Sequence, residues 1–447
     1  MLYQKIRDIY PGSVLFESSD FHVRANSKSL IGFQPKASIE VENGKVIHRV
    51  GKEIVGEKKV TTTKDIASFV EGVKAKYRKE GLSDPFGFFG YMGFDVNEYF
   101  EGLNLTPIKA DNDFPVFHFV LFEYIIEIDH YSGVGTLHCI EPQTQDDLRG
   151  LLVSLLRKTV PNFAFNTTGK EQCNITEEEF LRIAQKGVDH CQQGDVFQVV
   201  LSRQFSRPFQ GDDFWVYRSL RSINPGPYQY YLDFGAVRIM GSSPETQLSV
   251  NNGTAYLHPI AGTVERTGND KEDRKRAKQL LGIPKENEEH NMLVDLGRND
   301  LSRNCKNVEV TKLKEIQFYS HVIHMVSEVK GELKEGETAM DLLFSTFPAG
   351  TLSGAPKYKA MELIDRYEPD KRGVYGGAIG FIGMDDTLNL AITIRSLVSL
   401  NGTLGFQAGA GIVRKSAPKM ELAEIDHKVK ALRKAIETAE KQSNYYV

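Results

Sequence analysis

The feature that most constrains this chain is a run of short segments that mix aromatic and β-branched residues, each bounded by Gly, Pro, Asn or Asp. In the first part of the chain these are SVLFESSDFHV, KSLIGFQPKASIEV, FPVFHFVLFEYIIEI and GVGTLHCI. Side chains that are branched at Cβ or carry a ring fit a pleated, half-buried surface, so such a run reads as strands joined by turns. Two helical stretches interrupt it, Ile66 to Arg78 and Asp146 to Lys158, the second with Leu148, Leu151, Leu152 and Leu155 on one side. Further strands are expected at VFQVVLSRQF, YQYYLDF, VRIMGSS and TQLSV. The expected class is α+β, with antiparallel β-sheets forming a sandwich-like core and helices packed outside.

The segment PNFAFNTTGKEQ, Pro161 to Gln172, breaks the pattern and reads as a linker. The expected division is a strand-rich N-terminal part over 1–165 and a catalytic domain over 175–442. The second unit starts sharply. Thr176 and Glu179 have capping-box spacing, and Ile175 with Phe180 has the spacing of a hydrophobic staple. Pro284 starts a helix to about Arg303, since proline is tolerated at the first helical position, with Met292, Leu293 and Leu296 on its buried side. Near the end, Ser416 is placed to cap a helix striped by Ile425, Val429, Leu432 and Ile436.

Composition excludes several classes. Among 447 residues, 40% are hydrophobic and 26% charged, as in a soluble globular protein. A formal net charge of -4, with both signs interspersed, suggests no nucleic-acid or membrane-surface partner. The N-terminus MLYQKIRDIYPG lacks a basic region followed by an apolar stretch, so no secretory signal is expected. No window approaches the ~20 apolar residues of a membrane span. Cys139, Cys173, Cys191 and Cys305 are scattered without CxxC spacing, so they read as free thiols in a reducing cytoplasm.

Two pairs of glutamates stand out. Glu286 and Glu289 lie three apart on one expected helix, and Glu421 and Glu424 repeat the spacing on another, so each pair shares a face. Carboxylates are hard ligands suited to Mg²⁺, yet glutamates at this spacing are more often a solvated helix face. The run FPAGTLSGAPK, Phe347 to Lys357, lets the backbone approach an anion ahead of a helix N-terminus, and tight turns explain it equally well. YGGAIGFIG, Tyr375 to Gly383, lacks the following helix that a dinucleotide fingerprint needs.

Together the segments say more than each alone. HPIAGT (His258 to Thr263), EEHNMLVDLGRNDLSR (Glu288 to Arg303), FPAGTLSGAPK, RGVYGGAIG and QAGAGIV (Gln407 to Val413) follow in an order and spacing that closely resemble the chorismate-utilising enzymes. Within that family they resemble the large subunits of anthranilate synthase. The resemblance covers roughly the last three-fifths of the chain densely, and reaches the N-terminal part chiefly at VLFESSD. It implies Mg²⁺ held by Glu289 and Glu424, with Glu286 and Glu421 supporting them one turn earlier. It implies that Glu245, in Ser243-Pro244-Glu245, is the acid that protonates the leaving hydroxyl, with His324 beside the substrate ring. Thr351, Tyr375 and Arg395 match substrate-contacting positions, and Arg395 suits a substrate carboxylate because guanidinium binds it as a fork. Gly262, Thr263, Gly409, Ala410 and Gly411 match close backbone contacts.

Three positions separate the branches. Relatives that add water carry a lysine base where this chain has Gln198, which cannot act as one. Relatives that aminate at ring carbon C4 carry a lysine where this chain has Ala261, which makes the aminodeoxychorismate-forming large subunit the alternative and disfavours it. Thr351-Leu352-Ser353-Gly354 resembles the anthranilate form. The resemblance therefore implies ammonia as nucleophile, a glutamine amidotransferase subunit as partner, and a tryptophan site at Ser18, Pro227, Tyr228 and Gln229. Phe16 departs from the leucine usual in that region.

Overall fold

A long strand, Lys28–Glu42, organises the molecule. The computed structural model describes residues 2–18, 27–106, 115–141, 143–319 and 322–446, with the side chains of Thr263, Lys285 and Tyr446 outside that description. On one edge, the first half of this strand pairs with Val14–Glu17 and its second half with Lys45–Val50. Its other edge pairs along its length with Phe117–Asp129, with a shift of register between Pro35 and Ala37. Proline has no N–H to give a ladder, so an irregularity there costs little.

From this strand two antiparallel layers diverge. One continues through Phe117–Asp129, Gly87–Met92, Ala378–Gly383, Leu388–Ile392, Thr246–Asn251, Thr254–Leu257 and Val322–Leu333. The other runs through Val14–Glu17, Tyr228–Asp233, Val237–Ser243, Ser396–Leu400, Thr403–Val413 and Gln198–Gly211. Strands from the first 130 residues thus share ladders with strands near residues 230 and 380.

The two-residue period of a strand decides which core each ring enters. Phe89, Tyr91, Phe122 and Ile379 of the first layer meet Val14, Tyr230, Leu232 and Ile239 of the second. Phe88 and Phe119, on the opposite face of the same strands, turn outward to a core shared with the helices Thr63–Lys79, Pro284–Asn304 and Ala339–Thr346. Tyr231 likewise turns toward Glu177–Gln193, Phe214–Ile223, Lys357–Tyr367 and Pro418–Tyr446. The order of layers is helix, sheet, sheet, helix, as the α+β sandwich reading expects. Each buried ring contributes about 1.5–3 kcal/mol.

Local signals come through where they are strong. The Thr176–Glu179 capping box forms, and Ile175 and Phe180 are buried in one core. The helix expected from Pro284 spans Pro284–Asn304. Ser416 is not a cap: its Oγ accepts from the Val413 N–H at 3.0 Å, closing a turn before the last helix begins at Pro418. The stretch read as a linker holds the strand Phe165–Thr167, which pairs with Gln198–Gly211. Phe165 is fully buried, and its N–H donates to Ser443 Oγ at 2.9 Å. Among the described residues no helix is long and apolar enough to cross a membrane.

Candidate active site

Glu245 sits in the turn between Val237–Ser243 and Thr246–Asn251, where Pro244 ends one strand. Its carbonyl accepts from the Ile392 N–H at 2.9 Å, which ties the turn to the neighbouring strand. The carboxylate accepts from Thr351 Oγ1 at 3.0 Å, joining residues 106 apart in sequence. Burial pushes the Glu245 carboxyl up to about 7, against the opposing pull of the Thr351 hydroxyl and the charges of Arg395 and Lys428. Arg395 lies in the connection between Leu388–Ile392 and Ser396–Leu400, with a left-handed backbone (φ 50°). Its carbonyl accepts from the Ser242 N–H at 3.2 Å, so the turn that aims the guanidinium also borders the Glu245 turn. Burial lowers the pKa of Arg395, and the charge of Glu245 opposes that. The guanidinium forms no ion pair among the described residues; its Nη1 donates to Asn224 Oδ1 at 3.5 Å. A largely enclosed cation with no direct ion pair is poised for an acidic ligand.

His324 lies on Val322–Leu333, opposite Thr263. The side chain of Thr263 is outside the described residues. The register shifts between Ala261 and Thr263, at Gly262, whose φ is 71°. A Cβ at Gly262 would meet Leu280 Cδ1 at 2.8 Å and Glu286 Oε2 at 3.2 Å, so glycine serves both the turn and the close approach. Nδ1 of His324 lies 3.4 Å from the Gly262 carbonyl, and the Tyr319 ring packs against it edge-on at 5.4 Å between centroids. Burial, helped by the charge of Arg395, lowers His324 to about 4, so its imidazole is neutral at pH 7.

The strand Thr403–Val413 carries Gly409, Ala410 and Gly411 opposite Ser202, Leu201 and Val200. A Cβ on Gly409 would lie 3.0 Å from the Tyr375 hydroxyl, and one on Gly411 only 2.3 Å from Gln198 Nε2. These glycines leave room for two functional side chains. Gln198 uses its room to donate to Glu289 Oε1 at 3.3 Å.

Glu424, on the last helix, is paired with Lys428 at 2.7 Å, and Lys428 also donates to the Gly409 carbonyl at 2.8 Å. Lys428 escaped the sequence reading, although its place four residues after Glu424 is the spacing of a helical ion pair. Glu421 is buried, whereas the Glu424 side chain is 44% exposed. Among the described residues, no three His, Cys, Asp or Glu side chains are gathered closely enough to hold a metal. The four glutamates do not form a protein cage. Mg²⁺ binds well through one or two carboxylates completed by water and substrate oxygens, and the hard oxygens of Glu289 and Glu424 fit that donor set.

The segments expected to hold tryptophan are brought together. Ser18 follows Val14–Glu17, and Glu17 pairs with Gln229 across the ladder. Tyr228 bonds Thr246 Oγ1 through its hydroxyl at 2.8 Å, and Gln229 donates to the Arg221 carbonyl at 3.3 Å. Ser19 and Asp20 of that motif lie outside the described residues. A cavity of about 470 Å³ opens behind Tyr375, lined by Asp95, Gln204, Phe205, Arg372 and Thr393 among others. Glu245, His324, Arg395, Glu289 and Glu424 do not line it.

Residues 13–434 match the model of the chorismate binding enzyme family. Anthranilate synthase component 1 of Acetivibrio thermocellus is 38% identical, over 92% of this chain and 87% of that protein. The component 1 protein of Aquifex aeolicus is 39% identical, over 85% of this chain and 80% of its own length. The crystal structure of anthranilate synthase component I from Streptococcus pneumoniae superposes with a TM-score of 0.78 at 33% identity, covering 93% of this chain and 95% of that one. The chain belongs to the chorismate binding enzyme family, among the anthranilate synthase component 1 proteins.

Proposed function

We propose that the chain converts chorismate and ammonia to anthranilate, pyruvate and water, and that Glu245 is the proton donor. The observation that carries this reading is the environment of Glu245: a carboxyl raised to about 7, hydrogen-bonded to Thr351 and close to Arg395. Ammonia adds at ring carbon C2 while the C4 hydroxyl leaves as water, and a neutral carboxylic acid supplies the proton that departure needs. Arg395 binds a substrate carboxylate in its fork. Loss of the C2 proton and of pyruvate then gives the aromatic ring. His324 is neutral, so it serves as a hydrogen-bonding or proton-accepting group beside the ring rather than as a fixed cation.

Glu289 and Glu424 would hold Mg²⁺, which when bound neutralises the ring carboxylate and withdraws electrons from the diene. Gln198 has no proton-accepting nitrogen, which favours ammonia over activated water. Ala261, buried on Ile260–Glu265, has only a methyl group, which disfavours amination at C4 through a covalent lysine adduct. The ammonia comes from a glutamine amidotransferase subunit, and tryptophan binds near Ser18, Pro227, Tyr228 and Gln229 as an inhibitor. The four free cysteines suit a cytoplasmic setting.

The test is to incubate the purified chain with chorismate, Mg²⁺ and ammonium at mildly alkaline pH. Fluorescent anthranilate together with pyruvate is expected. A 4-amino product, or isochorismate, would overturn the reading.

A further inference from the structure

Behind the candidate site lies a cationic side chain that the chemistry above does not use. Arg372 is buried (5% exposed), and its fork grips Glu368 through Nε to Oε2 at 2.8 Å and Nη2 to Oε1 at 2.6 Å. The remaining donors reach two backbone carbonyls far apart in sequence. Nη1 donates to Leu352 at 2.7 Å, and Nη2 to Val200 at 2.9 Å. The guanidinium also lies 4.5 Å from the centroid of Phe94 and 5.7 Å from that of Tyr375.

The hydrogen-bonded contacts lead to walls of the candidate site. Leu352 directly follows Thr351, the donor to Glu245. Val200 pairs with Gly411 in the ladder. Glu368 Oε1 also accepts from the N–H and Oγ of Ser202, at 2.8 and 2.7 Å, and Ser202 pairs with Gly409. Asp95 holds the loop that carries Arg372, accepting from the Gly373 N–H at 2.7 Å. A buried ion pair is weak evidence for stability as such, because desolvation offsets most of its attraction. A planar fork with its donors committed to three separate elements does fix geometry.

We propose that Arg372 is a positioning residue for the reaction, setting the Thr351 loop and the Tyr375 ring against the Gly409–Gly411 strand, so that Glu245 meets its hydrogen-bond donor. The proposal rests on the anthranilate-forming reading. Lysine keeps the charge but cannot reproduce the fork, so R372K is the informative variant. It is expected to fold and to lose about 10- to 100-fold in kcat, the scale of a misplaced catalytic constellation, with little change in KM for chorismate.

Its alkaline pH limb should also move upward, because the Thr351 hydrogen bond is one of the contacts that hold the Glu245 pKa down. T351V removes the same bond and should shift the limb in the same direction. The double variant should shift it no further, since the two changes act on one contact. Should R372K not fold, E368Q loosens the same fork and carries the same readouts. Unchanged kcat and pH limb, additive shifts in the double variant, or failure of both single variants to fold would each overturn the proposal in favour of a purely structural pair. A wild-type chain that makes no anthranilate would instead defeat the functional reading itself.

Discussion

The site has two halves built from the same functional group in opposite surroundings. On one side Glu245 is enclosed by a strand turn, the Thr351 loop and Arg395, and burial raises its carboxyl to about 7. On the other side Glu289 and Glu424 stand on two helices. Glu424 is close to half exposed and already faces the Lys428 ammonium, while Glu289 faces the Gln198 amide. Under the proposed chemistry, the carboxyl that would give up a proton is kept from water, and the carboxylates that would hold a cation are left near water and positive charge. The first half is complete in the polypeptide alone; the second is loosely held by side chains that a divalent ion can replace.

The largest expected effect comes from removing the proposed proton donor. E245Q should lower kcat by about 10²–10⁴-fold, the usual worth of a positioned general acid. In the wild type kcat should fall as pH rises through about 7, because the donor is lost as Glu245 ionises. E245Q should show no such limb. Stability has its own sign. A carboxyl whose folded pKa is raised costs folding free energy as pH climbs from the ordinary carboxylate range to about 7. E245Q should therefore be more stable than the wild type at pH 8, by roughly 1–3 kcal/mol, and melt at a higher temperature there, but not at pH 4. Equal melting temperatures at pH 8 would show that the acid side is not desolvated and would erase the contrast.

The carboxylate side should fail differently. E289Q and E424Q are expected to keep the fold and weaken Mg²⁺ binding by at least about tenfold, since even outer partners of a metal site carry 10–100-fold. Calorimetric titration of Mg²⁺ in the presence of chorismate measures this directly. Unaltered affinity in either variant would remove that glutamate from the metal proposal.

The two halves were not equally legible in the sequence. Pro284 and the i,i+3 glutamates gave a helix and a shared face, because both signals are local. What brings Gln198 to Glu289 is a contact across 91 residues, carried by a strand whose neighbour has glycine where a side chain would collide. No periodicity reports such a contact; only the ordered motifs, read as a family resemblance, placed these segments in one site. Ser416 shows the opposite error, a good capping residue used to close a turn instead. Phe165 shows why a stretch broken by Pro, Asn and Gly is not always a linker: one buried ring and one short strand are enough to dock it. Arg372 lay inside a quoted motif, yet its importance depends on carbonyls contributed by two distant segments.

The smallest expected effect tests whether the halves are independent. Lys428 pairs with Glu424 and is also one of the charges that hold the Glu245 pKa down. Its ion pair is nearly half exposed, so its worth is modest, about 0.2–1 kcal/mol. K428M should thus tighten Mg²⁺ binding by no more than about fivefold, because a competing cation is gone. The same variant should move the alkaline limb of kcat upward, because Glu245 then ionises less readily. Both shifts together would make Lys428 the electrostatic link between the halves. A metal effect without a pH effect would separate them, leaving Glu245 governed by Thr351, Arg395 and its own burial.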